Sequence, residues 1–137
     1  MALSKNIHEK SLATSALDIQ TISSDTTTVG NAIDTIGYES LEFVVLPGTI
    51  TDGTYTVQAF EDDDVDFENE TEVSSEEQLG TISFDNTNSD TAKRFGVVGK
   101  KRYFRIKIVS TGTSSGGTFS AVAISSDAWH QPVADDT

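Results

Sequence analysis

The sequence predicts an all-β fold, a two-layer antiparallel β-sandwich of jelly-roll-like form with about eight strands. Serine and threonine supply 34 of the 137 residues and glycine another 10, a composition that disfavours long helices and favours strands joined by turns. Short runs rich in β-branched and aromatic residues alternate with turn signals. Leu, Ile, Val and Phe together supply 34 residues, enough for a core, and the length suits a single domain.

The strands are predicted from these runs in chain order. Alternation in the strand at 103–110 places Phe104, Ile106 and Ile108 on one covered face. Alternation fails in the strand at 41–46, which predicts a central strand, buried on both sides near its end and closed by Pro47-Gly48. The Asp52-Gly53 pair predicts a hairpin turn. The predicted strands are 17–22, 26–29, 41–46, 54–61, 81–84, 91–98, 103–110 and 118–125.

The predicted sandwich domain, 17–126, lies between two segments with weak strand patterns. Residues 1–16 are expected to form an N-terminal arm or short helix, and residues 127–137 an extended C-terminal tail. The first ten residues lack the apolar stretch of a secretory signal, so no export is expected. The longest apolar run is 43–46, far short of a membrane span, which predicts a soluble chain with no membrane partner.

Charge is distributed unevenly along the chain. The net charge is −13, and ten of the 22 acidic residues lie at 61–77, whereas seven of the nine basic residues lie at 93–107. Three interpretations remain open for the basic cluster: charge pairing within or between subunits, a solvated face, and, least favoured, a nucleic-acid patch. Trp129 is the one tryptophan of the sequence, and it is expected to cap the core or to anchor another subunit. The candidate partner contacts are Lys93, Arg94, Lys100, Lys101, Arg102, Arg105 and Trp129.

No pattern in the sequence predicts an enzyme, a cofactor or a metal site. The absence of cysteine excludes disulfides, thiolate metal sites and cysteine nucleophiles. Asp62, Asp64 and Asp66 match the first ligand positions of an EF-hand loop, but Phe67 stands where glycine is required and Val73 where the closing glutamate is required. A solvated acidic loop is therefore the favoured interpretation of this segment. The net negative charge also argues against a nucleic-acid partner.

Several stretches of the chain resemble a group of small proteins of tailed bacteriophages and prophages. They are GYESLEFVV at 37–45, GTITDGTYTVQ at 48–58, EDDD at 61–64, FGVVGKKRYFRI at 95–106 and HQPV at 130–133. These relatives are similar to head decoration, or cement, proteins, which are β-sandwich or jelly-roll modules on the outside of the capsid. The segment after Phe60 departs from the pattern in its length and acidity.

The resemblance implies a virion structural protein that is made in the host cytoplasm and located on the capsid exterior. It would bind the major capsid protein, stabilise contacts between capsid subunits, and associate with itself as a dimer or trimer. The alternative is a carbohydrate- or host-surface-binding module of the virion, suggested by the sandwich class and by the face of the sheet that carries Tyr103. A hydrolase using paired acids is a third hypothesis, for which the sequence offers no candidate pair.

Overall fold

The computed structural model describes residues 7–80 and 82–134. Over these residues the chain forms eleven strands and two short 3-10 helices, at His8–Lys10 and Asn86–Asn88. No helix in the described part of the chain has the length and apolar character needed to cross a membrane. The strands are β1 (Leu12–Ile22), β2 (Thr27–Val29), β3 (Ile33–Asp34), β4 (Tyr38–Ile50), β5 (Thr54–Asp62), β6 (Thr71–Glu72), β7 (Gln78–Leu79), β8 (Ser83–Phe84), β9 (Lys93–Val97), β10 (Tyr103–Thr111) and β11 (Gly117–Ala128).

Two antiparallel sheets pack face to face, which confirms the predicted sandwich. The first sheet has the strand order β1-β11-β4-β9-β7. The second sheet has the order β2-β10-β5-β6, with β3 paired to β10 and β8 paired to β5. The inward side chains of both sheets form one buried cluster, in which the ring of Phe119 lies 4.5 Å from that of Tyr55 and 5.7 Å from that of Phe84, between centroids. Aromatic rings at these separations contribute beyond the apolar area that they bury.

Local patterns in the sequence are reproduced where they are strongest. Along β10, buried and half-buried residues alternate, with Phe104, Ile106 and Ile108 facing the core as predicted. Strand β4 is the middle strand of the first sheet, as the strand at 41–46 was expected to be. A turn does form at Asp52-Gly53, where Gly53 adopts a φ of +95°, a left-handed conformation that favours glycine. The predicted hairpin is wrong, because β4 and β5 belong to different sheets and the turn connects the two layers.

The strand at 41–46 differs from prediction in two respects. It does not end at Pro47, because β4 continues to Ile50. Pairing with β9 stops at Val45, so one edge of β4 is not paired to β9 beyond that residue and a proline without an N–H is tolerated there. Burial on both sides is also wrong, since Leu46 is 49% exposed.

The boundaries of the arm and the tail are corrected as well. Strand β1 begins at Leu12 instead of residue 17, and Ala16 is fully buried, so the arm is shorter than predicted. Strand β11 continues to Ala128 because its pairing with β4 extends to Tyr38, so residues 127 and 128 belong to the sheet. A short helix at His8–Lys10 precedes β1. Residues 1–6 of the predicted arm, 135–137 of the predicted tail and the first residue of the strand at 81–84 lie outside the described residues.

The number of strands exceeds the predicted eight because three two-residue strands join the sheets. β3, β6 and β7 are too short to show alternation in the sequence. They form only through pairing with longer strands, β3 with β10, β6 with β5 and β7 with β9. Their existence is therefore a property of the assembled sheets.

Asp52 fastens the two loops at one end of the sandwich to each other. Its carboxylate accepts hydrogen bonds from the backbone N–H groups of Ser114, Ser115 and Gly116, at 2.9–3.1 Å, and from the Ser114 hydroxyl at 2.7 Å. These donors, the Gly116 N–H first, hold the pKa of Asp52 well below its usual range. The β4–β5 turn and the β10–β11 loop are thus held together by one ionised side chain.

Candidate functional site

A groove of about 590 Å³ opens at the end of the sandwich where β4 begins. A second hollow of about 300 Å³ shares five of its lining residues and extends the groove towards Ile36 and Asp63. The five shared residues are Thr35, Tyr38, Lys100, Lys101 and Trp129. Aromatic, aliphatic and cationic side chains therefore line one continuous depression, of a size typical of binding sites.

Trp129 is held in place although its ring is largely in solvent. Its backbone N–H donates to the carbonyl oxygen of Gly37 at 2.8 Å, and its indole Nε1–H donates to Oε1 of Glu39 at 2.6 Å. The residue is nevertheless 57% exposed. Of the two predicted roles, capping of the core is wrong, and a preformed anchor at the rim of the groove remains. A tryptophan already fixed in one position loses little conformational entropy on binding.

Glu61 shapes the loop that presents the two lysines. Its Oε1 accepts hydrogen bonds from the backbone N–H groups of Lys100 and Lys101, at 3.0 and 3.1 Å. Glu61 is itself buried at the end of β5. A Cβ atom at Gly99 would overlap the ring of Phe104, so glycine is needed for the close turn between β9 and β10. The lysines thus stand on a constrained loop.

Asp34 and Asp63 hold the remaining cation of this loop. Arg102 donates from Nε and Nη2 to the two carboxylate oxygens of Asp34, at 2.9 and 2.8 Å. This bidentate pair lowers the pKa of Asp34 and raises that of Arg102. Asp63 accepts from the Arg102 backbone N–H at 3.1 Å and pairs with Lys101 at 3.4 Å. The guanidinium carbon of Arg102 also lies 4.9 Å from the centroid of the Tyr103 ring.

The acidic loop, residues 61–72, packs on the outer face of the second sheet. Oε1 of Glu70 accepts from Nη2 of Arg105 and from Nζ of Lys107, both at 2.8 Å. The same two cations lie 4.3 Å from the ring centroids of Phe67 and Phe60, respectively. Burial alone would raise the pKa of Glu70, but the hydrogen bonds and charges of Lys107 and Arg105 outweigh burial and lower it. The acidic and basic clusters are therefore paired in part within one chain, through Glu70 with Arg105 and Lys107 and through Asp63 with Lys101.

Phe67 and Asp62 fix the course of this loop. Phe67 has a φ of +54° and is buried, an unusual conformation for a bulky side chain. The buried carboxylate of Asp62 accepts from the backbone N–H groups of Asp64 and Asn69, at 3.1 and 2.8 Å. Across residues 7–80 and 82–134, no group of three or more His, Asp or Glu side chains is arranged to hold a metal ion.

The structure separates the seven predicted contact residues. Lys100, Lys101 and Trp129 line the groove, and Arg102 lines its extension. Arg105 lies beneath the acidic loop. Arg94 pairs with Glu42 at 2.6 Å on the outer face of the first sheet. Lys93 donates to the carbonyl oxygen of Ser83 at 2.6 Å, with its Nζ 5.0 Å from the ring centroid of Phe84.

Sequence reasoning missed several residues that line the groove. Tyr38 and Glu39 begin a strand that the sequence predicted to start at 41, and Leu79 lies in a two-residue strand without a sequence signal. The exposed Val98 follows β9 directly. Of these residues, only Tyr38 and Glu39 lie in the stretch 37–45 that carries part of the resemblance to phage proteins.

Comparison with known proteins shows the fold. No protein-family model matches the chain and no curated protein is significantly similar to it. Among solved structures, the PBSX exported protein XepA superimposes with a TM-score of 0.54 at 16% identity, over 92% of this chain and 40% of XepA. A structure of Bacillus endospore appendages, described as disulfide-linked pili, matches with a TM-score of 0.50 at 16% identity, over 92% of this chain and 96% of the other. At this identity the likeness establishes a shared β-sandwich fold.

Proposed function

We propose that this chain is a virion structural protein of the capsid-decoration type. In this role it binds the outer surface of a phage head and stabilises contacts between major capsid subunits. It associates with itself, acts without catalysis or a cofactor, and binds neither nucleic acid nor membrane. It is made in the host cytoplasm and located on the capsid exterior. The observation that carries the proposal is Trp129, exposed yet fixed at the rim of a groove.

The composition of the groove suits a protein partner. Hot spots of protein interfaces are enriched in tryptophan, tyrosine and arginine within pockets from which water is excluded. Here Trp129 and Tyr38 line the groove together with the exposed Leu79 and Val98. The loop that carries Lys100 and Lys101 borders them. A partner segment with apolar side chains and a carboxylate would bury the indole ring and pair with Lys100.

The fold neighbours and the composition support a structural role. One neighbour is an exported protein of phage PBSX, and the other belongs to endospore pili. The pili are disulfide-linked, whereas this chain has no cysteine. Any assembly of this chain therefore forms without disulfide links. The resemblance of 37–45 and 95–106 to phage decoration proteins falls on strands β4, β9 and β10, which frame the groove.

Co-sedimentation with undecorated capsids of the phage that encodes the chain tests the proposal. The wild-type protein is expected to sediment with the capsids, and Trp129→Ala to weaken binding by about 30-fold or more, the loss typical of a hot spot. Val65→Ala is the matched control, because Val65 is a similarly exposed apolar residue in the acidic loop. Absence of wild-type binding would refute the decoration function. Equal binding by Trp129→Ala would refute the role of the groove alone.

A carbohydrate-binding module remains the second candidate. Tyr38 and Trp129 both line the groove, and aromatic faces are suitable platforms for sugar rings. The Tyr103 ring, which first suggested this function, already has Arg102 against it. A glycan array distinguishes the two candidates, because a sugar ligand lost in Trp129→Ala would favour the module, and an array without any ligand would count against it.

A further inference from the structure

The outer face of the first sheet carries an apolar stripe that the sandwich does not cover. The stripe consists of Val44 and Leu46 on β4 and Val122 and Ile124 on β11. Val44 and Val122 are direct register partners, so the four side chains are neighbours on two adjacent central strands. Leu46 is 49% and Val122 41% exposed. The inward residues between them, such as Phe43 and Ala123, are fully buried, so the sheet is apolar on both faces here.

The two outer faces of the sandwich differ in how they are covered. On the second sheet, the acidic loop lies over Arg105 and Lys107 through Glu70, whose side chain is 22% exposed. On the first sheet, the stripe is bordered by small hydroxyl residues, including Ser15 and Ser120, which are the register partners of Val122 and Leu46. An apolar centre with a polar rim is the arrangement of protein interfaces.

The local charge of this face is compatible with a second copy of the chain as its occupant. Two chains of net charge −13 repel each other, so they approach most favourably where local charge is neutralised. On β4 and β9 beside the stripe, Glu42 and Arg94 form an ion pair of 2.6 Å with each other. At the border on β1, the Asp18 carboxylate accepts hydrogen bonds from Ser15 and Asn31. A cationic partner would instead be drawn to the acidic regions of the surface. The face is thus suited to a second copy of the same chain.

The size of the face agrees with a weak dimer. Strands β1, β11, β4 and β9 have 11, 12, 13 and 5 residues. At a strand spacing of about 4.8 Å and a rise of about 3.3 Å per residue, they present roughly 650 Å². Specific interfaces bury about 600 to 1,000 Å² per partner, so the face reaches the lower limit. Face-to-face packing of one patch on itself is isologous and closes with two copies.

We propose that the outer face of the first sheet is the self-association surface of this chain, where two copies pack across a two-fold axis through Val44, Leu46, Val122 and Ile124. This inference deepens the self-association proposed above and is independent of capsid binding. The groove includes none of these four residues, although Ser40 and Gly96, which line it, lie on the same outer face.

Sedimentation equilibrium of the full chain tests the stoichiometry. Between about 1 and 200 µM, the range for an interface of this size, the protein is expected to pass from monomer to dimer. Dimerisation should strengthen at 1 M NaCl, because salt screens the repulsion between the two acidic chains. A monomer throughout, a trimer, or a dimer that dissociates at high salt would overturn the proposal.

Substitutions test the surface itself. Val122→Lys is expected to raise the dissociation constant at least about 100-fold, because it places two ammonium groups in the apolar centre. Val65→Lys, the same change at an exposed valine in the acidic loop, is the matched control and should leave the dimer intact. Equal dissociation constants for the two variants would overturn the assignment.

Cross-linking checks the geometry with a milder change. Because the chain has no cysteine, Val122→Cys introduces a unique thiol at the centre of the stripe. Packed sheets lie about 10 Å apart, so a bis-maleimide of that span should join the two copies efficiently. Val65→Cys should give little product. Cross-linking of Val65→Cys alone would place the contact elsewhere and refute the proposal.

Discussion

Glu70 is the residue through which the acidic loop is held on the second sheet. Its Oε1 accepts charge-assisted hydrogen bonds from both Arg105 and Lys107 at 2.8 Å. Substitution of Glu70 by glutamine keeps the shape of the side chain and removes its charge. Two partly buried cations then face a neutral amide, which cannot balance their positive charges.

The expected loss follows from the burial of the three side chains. Those of Glu70, Arg105 and Lys107 are 22%, 20% and 19% exposed. Removal of one partner from a fully buried ion pair costs about 3–5 kcal/mol, and an exposed pair contributes at most about 1 kcal/mol. At one-fifth exposure we expect Glu70→Gln to lower the free energy of unfolding by about 2–3 kcal/mol. For a domain of this size, Tm should fall by about 10 °C.

Urea denaturation of the monomer at pH 7 measures this loss. Glu68→Gln is the matched control, because Glu68 is an exposed acid of the same loop and the charge change is identical. It should change stability by no more than about 0.5 kcal/mol. In an Arg105→Met background, Glu70→Gln should cost clearly less, since one of its two donors is already absent. Equal effects of Glu70→Gln and Glu68→Gln would refute the reasoning.

The contribution of Glu70 should also depend on pH in one direction. Its pKa is lowered in the folded chain by Lys107 and Arg105 in spite of burial. A carboxyl group with a lowered pKa stabilises the fold above its unfolded pKa of about 4.3, and this stabilisation is lost as the pH falls through the folded value. The difference in stability between wild type and Glu70→Gln should therefore be largest at neutral pH and shrink below about pH 4.5.

Three further changes test the end loops and the core. Asp52→Asn should lower Tm and speed hydrogen exchange at 114–116, and because the pKa of Asp52 is lowered, its effect should diminish as the pH falls below about 4. Gly116→Ala should lower the free energy of unfolding by at least about 3 kcal/mol, because φ is +88° and a Cβ atom would overlap the backbone of Ile22. Gly112→Ala is the control, since this glycine has a φ of +65° in open space, and it should cost about 1 kcal/mol. Similar urea midpoints for the two variants would contradict this reasoning. Phe119→Ala should cost about 3–5 kcal/mol by denaturation, because its buried ring packs on two others, and a loss below 1 kcal/mol would contradict that packing.

Local patterns predicted most of the sandwich because its longer strands bury one face. A period of two in β10 follows from side chains alternating between core and outer face, and the Asp52-Gly53 turn has its own backbone requirement. The two-residue strands β3, β6 and β7 and the extension of β4 past Pro47 could not be predicted in this way. Their residues are ordered by pairing with strands distant in sequence, as in the pairing of Leu79 with Gly96.

The candidate site was predicted less completely, because charge clusters are visible along the chain whereas a groove is formed by residues that are distant in sequence. The basic cluster at 93–107 is one feature in the sequence, yet its side chains point to different surfaces. Arg94 pairs on the first sheet and Arg105 on the second, and Lys100 stands at the groove. Successive strand residues face opposite sides, and neighbouring strands belong to different sheets, so linear clustering does not imply a common surface.

Composition and local patterns are enough to establish the all-β class, the main strands, the absence of disulfides and the separation of acidic from basic residues. These depend on composition and on contacts between residues near one another in the chain. Only the folded chain shows that Asp63 and Glu70 pair with cations and that Glu61 accepts from the backbone N–H groups of Lys100 and Lys101. The fold also places Trp129 beside Tyr38 and leaves the outer face of β4 and β11 uncovered. Each of these results from strand order and sheet packing, which bring together residues separated by tens of positions.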